Sequence, residues 1–421
     1  MLSFDVTKGR VWAERSRAAT NPGGSLLHRR DFLGGLALAG LAGCAPSTKR
    51  AAAPSAPMPV CAAGGMMPVR ASVDRIFRVT VCLRPFRAAG PRLDVERVGD
   101  KTVVHNYGHG GSGWSLSWGS SHIAAGKAMA VGERDVAVIG CGALGLTSAI
   151  LLQRAGANVT IYAKERPPEV RSSRATGSWT PDSRIALANS VSSDFPALWE
   201  SMCRYSFHMY ESYLGIAGKP VEWSDWFFLA DANGEEPGPR RPLEDGLEFA
   251  QYGDRVRDLT PRSHELAPGS NPFPTLRARA TNRLTFNIAD YSRQLMTDFF
   301  IAGGKMETVE FHSPSDLTQL PQRVAINATG YGARALWKDD SIVPVRGQIA
   351  WLIPQPEVNY GLIYKNLAVL GRTDGIVVQD VGANDMFGYN DFNEEPDRAA
   401  AEASVQDAAA LFAKMGRAKR A

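Results

Sequence analysis

Cysteine is scarce and unpatterned in this chain of 421 residues. Cys44, Cys61, Cys82, Cys141 and Cys203 show no CxxC spacing, so neither a disulfide framework nor a zinc site is indicated. Seven histidines show no metal-ligand clustering either. The net charge is only +4, and no Lys/Arg run of the kind that grips a phosphate backbone stands away from the ends, so nucleic acid is not an expected partner. The apolar run at residues 33–41 is too short to span a bilayer, and no internal repeat is visible. What the chain does have is length: 44% hydrophobic and 21% charged residues over 421 positions suffice for two cores of ordinary size, so two globular domains and a tail are expected.

The N-terminus has the layout of an export signal. His28-Arg29-Arg30-Asp31-Phe32-Leu33 leads into an apolar run that ends Leu41-Ala42-Gly43-Cys44. The paired arginines are similar to a twin-arginine signal, and Leu-Ala-Gly-Cys to a lipobox whose Cys44 becomes lipid-anchored. The alternative is a chance arginine pair ahead of an Ala/Gly-rich linker. The 27 residues before the arginines are long for such a signal, which puts the expected start site further in. Residues 45–70, rich in Ala and Pro, read as a tether.

Beyond the tether, residues 75–81, 92–97 and 101–106 alternate as half-buried strands do. A glycine cluster, Tyr107-Gly108-His109-Gly110-Gly111-Ser112-Gly113-Trp114-Ser115, then opens a helix expected over 116–129. Asp135-Val136-Ala137-Val138-Ile139 reads as a central parallel strand buried on both faces. It enters Gly140-Cys141-Gly142-Ala143-Leu144-Gly145, a helix to Ala155 and a second strand over 158–163. That βαβ unit is a dinucleotide-binding pattern: Gly140 for the tight turn, Gly142 for approach of the backbone to a pyrophosphate, Gly145 for close helix–strand packing, and a helix N-terminus for the phosphates. The acidic residue that usually ends the second strand is replaced by Lys164-Glu165. Glu165 is the substitute ribose partner, while Lys164 keeps an NADP reading open. Further strands are expected at 324–330, 343–353, 360–370 and 375–381, and an Ala-rich closing helix at 399–415. Trp199, Trp223, Trp226, Phe227 and Phe228 are assigned mostly to core in a loop-rich region.

These residues resemble the D-amino-acid oxidase family. Arg84-Pro85-Phe86-Arg87 followed by His105 through Gly113 is similar to the family's C-terminal signature, and Ser172-Ser173-Arg174-Ala175-Thr176-Gly177, Asn327-Ala328-Thr329-Gly330 and Arg346-Gly347-Gln348 resemble further family stretches. The order differs, because here the signature precedes the nucleotide-binding motif, as a circular permutation would place it; a rearranged gene is the other reading. The resemblance implies an α/β fold: a Rossmann-like FAD-binding domain of the glutathione-reductase type with an inserted mixed α+β substrate domain. After the export signal (1–44) and tether (45–70) read from the residues above, the division runs to a permuted substrate and flavin segment (71–132) and the FAD-binding unit (133–190). The substrate domain's first part (191–300), a return to the FAD domain (301–345), substrate-domain strands (346–395) and a C-terminal helix with basic tail (396–421) follow.

The resemblance also implies roles. Arg87 would grip the substrate carboxylate, Gly111 would offer its carbonyl to the substrate amine, and Tyr364 would hydrogen-bond the carboxylate. For FAD it implies Gly140, Gly142, Ala143, Leu144, Gly145, Lys164, Glu165, Ser172, Ser173, Gly177, Ser178 and Phe311, with Gly110, Gly113, Trp114 and Ser115 at the flavin edge. His109 reads as structural rather than as a base. The implied reaction is oxidation of D-amino acids by hydride transfer to the flavin, with oxygen as acceptor and 2-oxo acid, ammonia and hydrogen peroxide as products. The rivals are a glycine, sarcosine or D-aspartate type of amine oxidase and a non-catalytic FAD-binding lipoprotein. An acidic substrate side chain would need an extra cation, for which Arg372 is the candidate. No metal is expected, a homodimer is allowed, and the export signal implies a periplasmic or membrane-anchored protein.

Overall fold

In the computed structural model the described residues are 66–232 and 247–415, all within the unit Pro59–Ala421. The paired arginines and Cys44 lie outside them. The elements are β1 (Ile76–Arg87), β2 (Val95–Val98), β3 (Lys101–His105), α1 (Gly113–Met129), β4 (Asp135–Ile139), α2 (Ala143–Arg154) and β5 (Asn158–Ala163). Then come α3 (Phe195–Glu211), β6 (Val221–Asp231), β7 (His264–Glu265), β8 (Leu276–Phe286), α4 (Ile288–Ile301), β9 (Lys305–Thr308) and β10 (Val324–Asn327). Last are α5 (Ala333–Leu336), β11 (Ile342–Leu352), β12 (Tyr360–Tyr364), β13 (Leu367–Arg372), β14 (Gly375–Asp380) and α6 (Arg398–Phe412).

Two sheets organise them. A six-stranded sheet runs β2-β3-β10-β4-β5-β9, parallel except for the antiparallel edge strand β2. Its central strands β4 and β10 are apolar and buried, as a sheet covered on both faces requires. An eight-stranded sheet runs β1-β11-β14-β13-β12-β6-β8-β7, antiparallel except where β12 lies parallel to β6. The segment ahead of β4 contributes to both. β1 pairs with β11 from Ile76 to Arg87, and β3 lies parallel beside β10 from Thr102 to His105.

Helices cover each sheet. Leu116 and Trp118 of α1, Leu146 and Ile150 of α2, Trp199 and Phe207 of α3 and Leu295 and Phe299 of α4 share one buried cluster. The placement of α4 moves a sequence-based boundary: the expected first part of the substrate domain ran to residue 300, yet α4 packs on α2, where Gln153 Nε2 donates to Phe299 O at 3.0 Å. On the outer face of the larger sheet, Val405 and Leu411 of α6 pack on Leu352, Val369 and Val378 together with Val69. Asp397 caps α6, its carboxylate accepting from Ala400 N–H at 3.0 Å. The strand expected over 360–370 is instead a hairpin, β12 and β13, joined at Lys365-Asn366 with Lys365 at φ +54°. No glycine marks that turn, so its sequence resembles continuous strand.

Where α1 crosses α3 the two backbones come close. A Cβ on Gly119 would lie 2.0 Å from the carbonyl oxygen of Met202 and 2.4 Å from its Cα, both backbone atoms that cannot step aside. Gly119→Val should therefore force the two helices apart and cost about 2 kcal/mol or more. Chemical denaturation of the variant should show a lowered midpoint, and an unchanged midpoint would contradict the packing.

Candidate active site

One cavity of about 2090 Å³ lies between the two sheets. The dinucleotide loop forms one wall. A Cβ on Gly140, which sits at φ +105°, would meet Ala328 O at 2.6 Å, and one on Gly145 would lie 2.0 Å from Gly140 O. Gly145 therefore supports the loop from beneath rather than lining the cavity, whereas Gly140, Gly142, Ala143 and Leu144 line it. At the end of β5, Lys164 and Glu165 reach the wall beside Phe311. Lys164 is committed to Glu310, its Nζ 3.2 Å from the Oε1.

The glycine cluster forms the opposite wall. Gly110, Gly111, Gly113, Trp114 and Ser115 all line the cavity, so α1, like α2, opens onto it with its N-terminus. Neither helix has an acidic residue in its first turn, leaving the partial positive charge of both ends facing the space. Ser172 joins the walls: its hydroxyl accepts from Ala143 N–H at 3.2 Å and its carbonyl from Trp114 Nε1 at 2.8 Å. Gly177 and Ser178 continue this lining, while Ser173 lies outside it, its hydroxyl buried without a partner. Thr180 N–H donates to Ser115 Oγ at 2.8 Å, and Gly111 N–H to Ser183 O at 2.9 Å. A dinucleotide fits this frame, since two helix ends, backbone amides and a long cavity are the features an extended, doubly negative pyrophosphate needs.

The larger sheet supplies the floor, and here the structure corrects the sequence reading. Arg87 does not line the cavity. Its Nε donates to Ser341 Oγ at 2.8 Å and its Nη1 to Gly90 O at 3.0 Å, and it pairs with Asp339 at 3.5 Å. Arg84 lines it instead, because residues three apart on a strand point to opposite faces. Desolvation pulls the guanidinium pKa of the half-buried Arg84 down, and its Nη1 donates to Arg346 O at 3.3 Å. Gly347 makes room for it: a Cβ there would lie 2.3 Å from Arg84 Nη2.

Tyr364 is turned away by the same alternation. Its hydroxyl donates to Asp231 Oδ1 at 2.7 Å on the α6 side of the sheet, while its neighbours Ile363 and Lys365 line the cavity. Arg372 is also absent from the wall. It clamps Asp374 with two hydrogen bonds, of 2.9 and 2.5 Å, and holds Ala175 O at 2.8 Å. Sequence reasoning missed Arg84 as the inward arginine, and it missed Arg283, Trp226 and Phe228, which reach the same cavity from β8 and β6. The motif contains Arg84, so strand alternation counted from an inward neighbour could have selected it; no sequence signal marks Arg283. Among the described residues no group of acids, histidines and cysteines could hold a metal ion, and no helix is long and apolar enough to cross a membrane.

His109 borders the cavity but is no base. Its Nε2 is bonded to Ser120 Oγ at 2.7 Å, its Nδ1 has no partner, and burial pushes its pKa down to about 3. The unfolded chain takes up a proton near pH 6.5 that the folded chain refuses. Stability conferred by the neutral ring is thus complete above pH 6.5 and falls as pH drops toward 3. Between pH 7.5 and 5, wild type should lose about 2 kcal/mol more than His109→Gln, measured by urea unfolding. Parallel losses in the two proteins would show that the ring charges inside the fold.

Known proteins bear on this geometry. Residues 135–421 match the family model described as FAD dependent oxidoreductase, and residues 71–132 lie ahead of the matched region. A D-amino-acid oxidase from Streptomyces coelicolor is 29% identical over 239 residues, covering 55% of this chain and 63% of that protein's length. A D-aspartate oxidase from Talaromyces thermophilus is 51% identical over 53 residues, 11% of this chain and 14% of the relative. Among solved structures, a glycine oxidase from Bacillus cereus aligns over 66% of this chain and 78% of its own, at 14% identity and a TM-score of 0.45. With more than half of its length matched by the family model and a dinucleotide cradle built from the matched residues, this chain belongs to the D-amino-acid oxidase family of FAD-dependent oxidoreductases.

Proposed function

We propose that the protein oxidises free amino acids at the α-carbon, with D-amino acids as the substrate class. The observation that carries this reading is Arg84: a half-buried guanidinium facing the same cavity as the dinucleotide loop, beside the glycine cluster. A guanidinium fork suits a carboxylate, which it can hold by two parallel hydrogen bonds. Gly111, at the same wall, is the proposed carbonyl acceptor for the substrate amino group. The partial positive charge at the N-terminus of α1 would stabilise negative charge developing on a flavin bound in the cavity. Trp226, Phe228 and Ile363 cover the floor with apolar surface that keeps water from the reacting carbon. When bound, the flavin would supply the two-electron acceptor for the α-hydrogen and its bonding pair once the substrate ammonium has given one proton to solvent; the imino acid would hydrolyse to a 2-oxo acid and ammonia, and oxygen, the proposed reoxidant, would take up the two electrons and two protons as hydrogen peroxide. His109, neutral and hydrogen-bonded to Ser120, takes no proton in this scheme.

The glycine cluster and Arg84 lie outside the region that matches the family model, so the reading assigns the segment before β4 to the same machinery and treats the chain as a permuted member. Supporting this, Val69 shares a buried cluster with Ala401, Val405 and Leu411 of α6, so the start and end of the described chain meet on one face. Export of a folded, flavin-loaded protein through the arginine pair, with Cys44 as anchor and a homodimer as an allowed assembly, belongs to the same proposal. A reordered chain beginning at residue 133, with residues 66–132 joined through a flexible linker after residue 415, should bind FAD as the original does. An insoluble or colourless reordered protein would count against permutation.

The reaction is tested by anaerobic addition of D- and L-amino acids to the purified flavoprotein. Bleaching of the flavin bands by D-amino acids is expected, and Arg84→Ala should lower kcat/KM by about a hundredfold or more, the cost of removing one partner of a buried charge pair. Arg87→Ala should leave the kinetics within about threefold and lower the melting temperature, because its partners Asp339 and Ser341 are structural. Bleaching by no amino acid, or only by L-enantiomers, would overturn the reading.

A further inference from the structure

We propose that Arg283 recognises a second negative charge on the substrate, so that the cavity selects amino acids with an acidic side chain, of the aspartate and glutamate class. This inference rests on the amino-acid reading above and narrows it.

Arg283 stands on β8 and lines the cavity, its guanidinium over the rings of Trp226 and Phe228 at 5.4 and 4.8 Å from their centroids. Among the described residues no carboxylate lies within ion-pair distance of it. Asp182 acts on it electrostatically and favours its charge, but desolvation by its surroundings is the larger effect and lowers its pKa. A partly buried cation without a salt-bridge partner among the described residues is costly, and the cost is relieved when a ligand brings an anion. The rings hold the guanidinium against an apolar floor through cation–π contact and offer it no hydrogen-bond acceptor.

Backbone contacts draw Arg283 and Arg84 around one space. Phe86, two residues beyond Arg84 and on the same strand face, bridges to His109. The glycine cluster then ties to the next loop through Gly111 N–H and Ser183 O. That loop begins at Ser178, which bridges to Thr285, two residues beyond Arg283. Arg84, Gly111, Ser178, Ser183 and Arg283 all line the one cavity along this path, so the place proposed for the α-carbon has Arg84 and Arg283 in the same lining. One arginine beside Gly111 accounts for the carboxylate that every amino acid carries. A second, over an aromatic floor, is left for the side chain. A neutral side chain there would cover a cation without pairing it, and a carboxylate would pair it by two hydrogen bonds.

Binding without turnover isolates the claim. Succinate and butyrate differ in one carboxylate, and each should perturb the visible flavin spectrum of the holoprotein on titration. Succinate is expected to bind at least tenfold more tightly than butyrate. Arg283→Met should weaken succinate at least tenfold while leaving butyrate within threefold, and Arg283→Lys should retain part of the preference. In turnover, D-aspartate and D-glutamate should show kcat/KM at least tenfold above D-asparagine and D-alanine in wild type, and lose that advantage in Arg283→Met. Equal binding of succinate and butyrate, or equal weakening of both by Arg283→Met, overturns the role of Arg283. Neutral D-amino acids that bleach the flavin as well as acidic ones, unaffected by Arg283→Met, leave the oxidase standing and overturn the selectivity. If no amino acid bleaches the flavin while the succinate preference and its loss in Arg283→Met remain, the oxidase reading fails and a dicarboxylate site is supported.

Discussion

The long antiparallel pairing of β1 with β11, from Ile76 against Leu352 to Arg87 against Ile342, fixes the position of nearly everything that faces the cavity. It sets which side of the sheet Arg84 occupies, because register and face are inseparable on a strand: a slip by one residue would send Arg84 outward and Arg87 inward. It also carries the chain to Phe86, whose bridge to His109 anchors the glycine cluster against the larger sheet. From there β3 and α1 belong to the other half of the molecule, β3 beside β10 and α1 against α2 and α3. A single segment thus ties both sheets together, and the cavity exists because those two attachments hold its walls apart.

Within that frame, side chains whose polar groups are satisfied by the protein hold the structure, and those left facing the cavity supply its chemistry. Arg87, Tyr107 and Asp339 form one such closed set: Tyr107 Oη donates to Asp339 Oδ2 at 2.8 Å and Arg92 Nη1 donates to Tyr107 Oη at 3.0 Å. Burial alone would raise the Asp339 pKa, but hydrogen bonds from Ser341 and Tyr107 and the charge of Arg87 outweigh it and hold the carboxyl ionised. Arg372 with Asp374 is another closed set and holds the loop that presents Gly177 and Ser178. Arg84, with one long hydrogen bond to a carbonyl, and Arg283, resting on two rings, are not closed in this way.

The contrast explains what could be read from the sequence. The dinucleotide loop was legible because its signal is local: a buried apolar strand, three glycines at fixed spacing and an apolar helix lie within a short stretch of chain. The glycine cluster was legible for the same reason. The choice between Arg84 and Arg87 was not, since both stand in one motif and only the register of β1 decides which faces inward. Tyr364 failed on the same ground, with Ile363 and Lys365 taking the inward positions. Arg283, Trp226 and Phe228 were invisible as a group because β6 and β8 come together through sheet order, and aromatic residues in a strand read equally well as core. The Lys365-Asn366 turn lacked the glycine that would have announced it.

The electrostatic character of the cavity follows from these placements more than from net composition. A chain of charge +4 is close to neutral for its length, yet two helix N-termini and the half-buried Arg84 and Arg283 face a single cavity. In water such charges would be screened and contribute little; inside a cavity lined by Trp226, Phe228 and Ile363 the effective dielectric is lower and each contributes more. His109, which borders the cavity, is kept neutral by burial, so it adds no charge there as pH passes through the physiological range. A steady positive field suits ligands that are negative at every stage of a reaction, a pyrophosphate, a carboxylate and a ring that gains negative charge on reduction. It would oppose a substrate bearing a bare cation. On the proposed reading, the α-ammonium group of an amino acid would be accommodated once its carboxylate is paired, with Arg84 as the proposed partner of the carboxylate and Gly111 as the proposed acceptor for the amine.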